Sequence, residues 1–258
     1  MITLIRDDMR HIAQYMPQGF ADMVYADSNW GDTEAYWDKN PVPYDEQWKT
    51  YHHARKENGA ILLQSSLGIY PDVVRDAPEK RRFTWVWNKG VAGAFLLAKK
   101  MPLNFVEVIP AFGCRYFFKH LLVNGAQKNC SMAIPKKSNT AFGNRPKVQD
   151  SIGLTKRYQP NIITVSNRGQ TKYDKSTNEM NCTRKPIGLL EKFVLGHTLP
   201  GETVFDAYAG SGQMAITCIL HDRNYVGMDI SEHEFGIAKA RLLDFFPMRT
   251  DEFVFIEA

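Results

Sequence analysis

Hydrophobic positions along this chain fall into short runs cut by turn-forming residues. Near the start, Ile2 to Ile5 is an apolar run of strand length, HIAQYM (His11 to Met16) has helical spacing, and ADMVYAD (Ala21 to Asp27) reads as a second strand ending on a carboxylate. GAILLQSS (Gly59 to Ser66) and RFTWVWNKG (Arg82 to Gly90) predict two further buried strands. After Pro186, IGLLEKFVLGHT spaces its apolar residues as a helix does, and PGETVFDAYAGSG then reads as turn, strand and glycine-rich loop. Gln213 to His221 predicts the next helix and NYVGMDI the next strand. Strands alternating with helices predict an α/β chain with a mostly parallel, doubly wound sheet. Between Gly113 and Gln159, Gly, Pro, Asn and Lys are frequent and periodicity is weak, so this stretch predicts an irregular insertion. No internal repeat is evident.

Composition narrows the class. With 258 residues, 44% hydrophobic and 23% charged, the chain has the make-up of a globular protein, and disordered or fibrous readings fall away. A chain of this length buries a full core without disulfides. Cys114, Cys130, Cys182 and Cys218 form no CxxC pair, which removes zinc-ribbon and thioredoxin-type spacings and makes a reducing cytoplasm the expected setting. The opening MITLIRDDMR places two aspartates where a signal peptide needs apolar residues, and no segment approaches the ~18 apolar residues of a membrane span. A soluble protein with no membrane partner is expected.

The formal net charge of +4 hides an asymmetry, for Arg115 to Lys185 holds 14 Lys and Arg against 3 Asp and Glu. A basic middle between acidic flanks suggests a polyanion-binding insertion, and its amides, hydroxyls and aromatics, among them Tyr116, Asn139, Phe142 and Asn144, suit contact with a nucleic acid. A solvated loop region is the plain alternative.

The sharpest local signal is VFDAYAGSGQMA (Val204 to Ala215), followed by Asp229 at the end of a predicted strand. A strand turning at once into a helix, with Gly210 and Gly212 letting backbone approach a ligand, describes a nucleotide-type cofactor site. Asp229 stands where a second-strand carboxylate accepts hydrogen bonds from ribose hydroxyls. GSGQMA also fits GxGxxA, so a nicotinamide dinucleotide stays open on spacing alone. Asp206, placed at a strand end to receive an amino group, favours S-adenosylmethionine.

At these residues the chain resembles the amino-group DNA methyltransferases. DAYAGSG resembles their DPFAGSG cofactor motif, and NCTRKPIGLLEKF resembles the HPTQKPVELLE segment that precedes it, with Thr183, Lys185 and Pro186 agreeing. FTWVWNKGVAGAFLLAKKMPL (Phe83 to Leu103) resembles WxWxKxxATGFLNAKKMPL. DDMRHIAQYMPQGFADMVYADSNWG follows GDCLEVLKTLPDNSVDLIxxDPPYG in spacing, and TEAYWDKN fits the continuation. The order, catalytic motif first and cofactor motif last, is that of the β-type arrangement.

The resemblance implies a Rossmann-like methyltransferase fold in two halves, residues 1–112 and 158–258, around a basic target-recognition insert at 113–157. It implies S-adenosylmethionine as cofactor, double-stranded DNA as partner through the basic 115–185 region, adenine N6 as target, a homodimer as an assembly several members adopt, and a cytoplasmic enzyme of a bacterium or phage, typical of restriction-modification. Metal is not required. By the same resemblance Asp27, Ser28, Asn29 and Trp30 carry the chemistry. Asp8, Thr183, Lys185, Asp206, Tyr208, Ala209, Gly210, Ser211, Gly212 and Asp229 hold the cofactor.

The chain departs from the family at the catalytic tetrapeptide, which is DSNW in place of DPPY. Asp27 and Trp30 retain an acceptor and a stacking ring, but two prolines that fix φ are gone. Asn29 offers an amide that ties the turn or supplies an acceptor of its own. A catalytically silent relative that binds DNA or cofactor, and a cytosine-N4 enzyme, therefore stay open beside the adenine reading. The family's His-Glu is Val106-Glu107 here and its HPTQ is Asn181 to Arg184, which marks Glu107 and Lys185 as structural or DNA-positioning.

Overall fold

A computed structural model describes residues 1–29, 31, 39–93, 98–113, 116, 122–124, 156–167, 173–174, 179–180 and 184–258. In chain order its strands are β1 (Ile2–Arg6), β2 (Ala21–Ala26), β3 (Arg55–Leu63), β4 (Phe83–Gly93), β5 (Asn104–Gly113), β6 (Leu122–Asn124), β7 (Lys156–Tyr158), β8 (Ile162–Thr164), β9 (Tyr173–Asp174), β10 (Glu179–Met180), β11 (Thr203–Asp206), β12 (Asn224–Asp229) and β13 (Phe253–Glu257). The α-helices are α1 (Tyr44–Ala54), α2 (Tyr70–Arg75), α3 (Ile187–His197), α4 (Gln213–Leu220) and α5 (Glu232–Phe245). Contacts divide the chain into two units, Met1–Phe117 with Pro160–Ala258, and Phe118–Gln159. In the second unit the described residues form an antiparallel pair, β6 with β7.

The first unit is built on a nine-stranded sheet ordered β13-β1-β12-β11-β2-β3-β5-β4-β8. Every neighbour pair is parallel except β3 with β5 and β4 with β5. The parallel core has the apolar runs that burial on both faces demands, and all six residues of β2 are buried. Side chains alternate across it. Val24 and Ala26 join a cluster with Trp48 and Tyr51 of α1 and with Phe112, while Tyr25 turns to the opposite face and meets Phe193 of α3. At the far end of the sheet, buried Asp22 accepts from Lys56 Nζ at 2.8 Å and from the Thr203 amide at 3.0 Å, fixing the start of β11 to β2.

Two expectations are corrected. His11 to Met16 is not an α-helix: Met9–Gln14 is a 3-10 helix, its N-cap Asp8 accepting from the Arg10 amide. Six residues are too few to recover the cost of α-helix nucleation. The alternation of strand and helix also fails beyond β4, which is followed by β5, and β5 pairs antiparallel with both β3 and β4.

From the adjacent pair β11 and β2 the chain winds outward in opposite directions, through α4 to β12 on one side and through α1 to β3 on the other. Such a reversal leaves a crevice at the carboxyl ends of the two strands, and ligands of open α/β sheets bind there.

Candidate active site

A cleft of about 800 Å³ opens at this reversal, within the range of small-molecule sites. Two groups of residues line it, brought together by the pairing of Asp206 with Tyr25 between β11 and β2 and by the Ala207 amide, which donates to Tyr25 O at 3.1 Å.

The first group surrounds the glycine loop. Gly210 has φ +47 and no atom within 4 Å of where a Cβ would stand, so open space lies over the backbone. Gly212 has φ +73, and a Cβ there would lie 3.0 Å from the Cβ of Ala238. Both positions need glycine, one for a left-handed turn over open space and one for close packing of α4 on α5.

Asp229 is the brace of this loop. One of its oxygens accepts from the Gly210 amide at 2.8 Å and the other from the Ser231 amide at 2.9 Å. The Ala209 amide donates to Met228 O at 2.8 Å, so the loop is tied to β12 at two points. Burial raises the Asp229 carboxyl, against the pull of those two amides.

Asp206 is 2% exposed and accepts from the Tyr208 amide and the Tyr225 hydroxyl, each at 3.3 Å. Burial pushes its pKa up to about 7, and the nearby Asp27 and Asp229 charges add to the rise. Asp8 lies on the same side of the cleft. The Arg10 guanidinium clamped on its carboxylate at 2.7 Å holds Asp8 below the usual range, and Arg10 continues to Glu46 of α1 at 2.7 Å. Tyr208, Ala209 and Ser211 also line the cleft.

The second group lies at the end of β2. Asp27, Ser28 and Asn29 line the cleft. Asp27 continues the parity of Met23 and Tyr25, so it faces the side of the sheet that carries α3. The chain entering α3 supplies Lys185, whose Nζ stands 2.6 Å from Asp27 Oδ2. Burial raises the Asp27 carboxyl, Lys185 opposes that rise, and Glu107 reinforces it. For Lys185, burial works to lower the pKa, yet the charges of Asp27 and Glu107 leave it raised, so it stays an ammonium.

Glu107 is itself held by Gln64 Nε2 at 2.6 Å and Lys89 Nζ at 3.3 Å, while Gln64 Oε1 accepts from Tyr25 OH at 2.7 Å. Trp87, fixed by Nε1 donating to Val165 O at 2.9 Å, and Leu190 form apolar wall.

The structure sets Lys185 against Asp27, in the cleft that the glycine loop also lines. Trp30 and Thr183 lie outside the described residues. Tyr25 and Gln64 carry no sequence motif that would have singled them out, and only the alternation of β2, which puts Tyr25 in step with Asp27, gave a signal; Trp87 and Lys89 fall in the segment that resembles WxWxK, though no site role was read from it. Among the described residues no group of three or more His, Cys, Asp or Glu is placed to hold a metal ion, and no helix is long and apolar enough to cross a membrane.

The cleft suits a cofactor with a cationic end and a ribose. A buried carboxylate poised near neutrality, a braced second carboxylate and a glycine turn facing open space are the acceptors and the room such a molecule needs.

Solved structures share the architecture, a Rossmann-like methyltransferase fold. The cytosine-N4-specific PvuII DNA methyltransferase superposes with a TM-score of 0.65 at 10% identity, over 99% of this chain and 94% of that one. M1.HpyAVI in complex with SAM gives 0.57 at 16% identity, over 93% and 100%.

The family is fixed by sequence. The N6/N4 methylase model, described as DNA methylase, matches residues 23–240, and this chain belongs to that family, whose members use S-adenosylmethionine. The type II methyltransferase M2.MboI of Moraxella bovis is 34% identical over 71 residues, which is 28% of this chain and 26% of that protein. The matched stretch thus spans about a quarter of that relative's length.

Proposed function

We propose that this chain transfers a methyl group from S-adenosylmethionine to an exocyclic amine of a DNA base, adenine N6, after the base has left the duplex stack. The observation that carries the reading is the sharing of one cleft by Asp27, at the end of β2, and the glycine loop, at the end of the adjacent β11. When bound, the cofactor supplies an electrophilic methyl on a sulfonium. The chain's own contribution is alignment for in-line transfer.

In this reading Asp206 receives the amino group, Asp229 the ribose hydroxyls, and Asp8 lies near the adenine ring. Tyr208, Ala209, Gly210, Ser211 and Gly212 shape the loop, and Thr183 is assigned to cofactor binding by resemblance. Asp27 accepts from the target amine and Ser28 contributes its carbonyl. Asn29 steadies the turn, and Trp30 stacks on the extruded base, a contact worth ~1–3 kcal/mol. Basic residues of the 115–185 region neutralise phosphates, with 113–157 as the target-recognition insert and the flanking stretches as two halves of one catalytic domain.

Tritium transfer from labelled cofactor to unmodified duplex DNA, followed by digestion to nucleosides, tests the proposal. N6-methyladenine is the expected product, and N4-methylcytosine would replace the adenine assignment with the cytosine one. The Ser28-Asn29 pair in place of two prolines favours a second reading, a silent DNA-binding relative. DNA binding without any transfer would establish it.

A further inference from the structure

The Asp27–Lys185 pair carries an inference that rests on the reading of the chain as a DNA amino-methyltransferase and goes further into how the base is chosen. Two of the lysine–aspartate pairs among the described residues of this unit, one towards each end of β2, differ in kind. At the far end of the sheet, Asp22 is 2% exposed and also accepts the Thr203 amide, so it is sealed and braces two strands. At the cleft, Asp27 and Lys185 keep 22% and 14% of their side-chain surface and line the cavity wall. They present an acceptor and a donor side by side, 2.6 Å apart, next to the apolar wall of Trp87 and Leu190.

That order of groups matches one edge among the bases. In adenine and cytosine the exocyclic amine, a donor, sits beside a ring nitrogen that is an acceptor. In guanine and thymine the corresponding positions are a carbonyl and a ring N–H, the reverse order. We infer that Lys185 is a specificity-determining residue: its ammonium donates to the ring nitrogen beside the amine, N1 of adenine or N3 of cytosine, while Asp27 accepts from the amine itself.

An ammonium has three N–H donors, so Lys185 serves the base without surrendering Asp27. A base with the reversed edge would bring a ring N–H against the ammonium and a carbonyl oxygen against the carboxylate, two repulsive contacts in a desolvated site. Glu107, fixed by Gln64 and Lys89, lines the same cleft, and its charge adds to that of Asp27 in keeping the ammonium protonated against burial.

The test is a cycle between one atom of the base and one side chain. Oligonucleotides carry adenine, 1-deazaadenine or 7-deazaadenine at the target, opposite an abasic position so that lost pairing does not enter; 3-deazacytosine replaces these if the wild type methylates cytosine. Wild type and Lys185→Met are compared by kcat/KM for transfer and by fluorescence anisotropy for binding. Losing a hydrogen bond to a charged donor predicts a drop on the order of 10- to 100-fold when the ring nitrogen becomes C–H, in wild type only.

Lys185→Met should bind both bases alike, and 7-deazaadenine should behave as adenine does. An equal loss in both proteins, no loss in wild type, or a Lys185-dependent response to the 7-position would overturn the inference. If wild type transfers no methyl group, the enzymatic reading fails, and the same comparison by anisotropy on the adenine and cytosine series still decides the role of Lys185.

Discussion

Cofactor affinity should rise about tenfold between pH 6 and pH 8 because of Asp206. Its carboxylate lines the cleft and is held by the Tyr208 amide and the Tyr225 hydroxyl. Burial, joined by the charges of Asp27 on β2 and Asp229 on β12, lifts its pKa to about 7. A cationic amino group binds the ionised form, so the proton must leave. With that pKa the ionised fraction is about 0.1 at pH 6 and about 0.9 at pH 8, and the ratio corresponds to ~1.4 kcal/mol.

The sign is fixed by linkage. The free protein holds the proton and the complex does not, so binding strengthens as pH rises toward the free-state pKa and levels off above it. Titration calorimetry with S-adenosylmethionine in buffers of different ionisation enthalpy reads the proton count directly. About 0.9 protons should be released at pH 6 and about 0.1 at pH 8. The ligand's own ammonium titrates equally against Asp206→Asn, so the difference between the two proteins isolates Asp206. Equal pH slopes in the two proteins, or proton uptake on binding, would refute the reasoning.

Asp27→Ala should abolish methyl transfer while leaving the cofactor dissociation constant within a few-fold, since Asp27 is assigned to the base; loss of both in calorimetry would undo that division of roles. Asp229→Ala removes the acceptor of the Gly210 amide at the glycine loop and of the Ser231 amide at the start of α5, each charge-assisted bond being worth ~1.5–3 kcal/mol, so cofactor affinity should fall at least about tenfold. An unchanged dissociation constant would remove Asp229 from the site. Gly212→Ala combines a left-handed φ with a 3.0 Å approach to Ala238 and should cost about 1–2 kcal/mol in urea unfolding. DNA affinity should fall with log salt at a slope of about −0.9 per phosphate neutralised, and a flat dependence measured by anisotropy would exclude the phosphate role of the basic region.

Much of the sheet was legible because its strands are buried on both faces. ADMVYAD, TVFD and NYVGMD are apolar runs with few rivals, and a glycine pair after TVFD marks the turn that follows. Less visible was α1, whose buried residues include Gln47 and Thr50 beside Trp48 and Tyr51, so its packed stripe reads as polar. The first half of β3, Arg55 to Asn58, is charged and polar and looks like loop; it extends because Ala21 pairs with Arg55. Strand direction was legible where strand and helix alternate, and the sheet is mostly parallel as that pattern predicts, but not at β4 and β5. Apolar runs alone do not distinguish the antiparallel β5 and β4 from another crossover.

The altered tetrapeptide shows why site geometry was the harder part. With DSNW in place of DPPY, local sequence removes the stiffness that two prolines give, and the Asn29 amide is the one local substitute it offers. Further support comes from elsewhere in the chain. The Gln64 amide donates to Ala26 O at 2.8 Å and so extends the β2–β3 ladder to the residue before Asp27. Lys185, distant in sequence, then holds the Asp27 carboxylate at 2.6 Å. Strand parity selects which face Asp27 looks to, and the entry to α3 places Lys185 on that face. Aim at this position depends on three segments converging, which is why substituting Lys185 should disturb the direction of the carboxylate more than substituting either of the two residues that stand where prolines were expected.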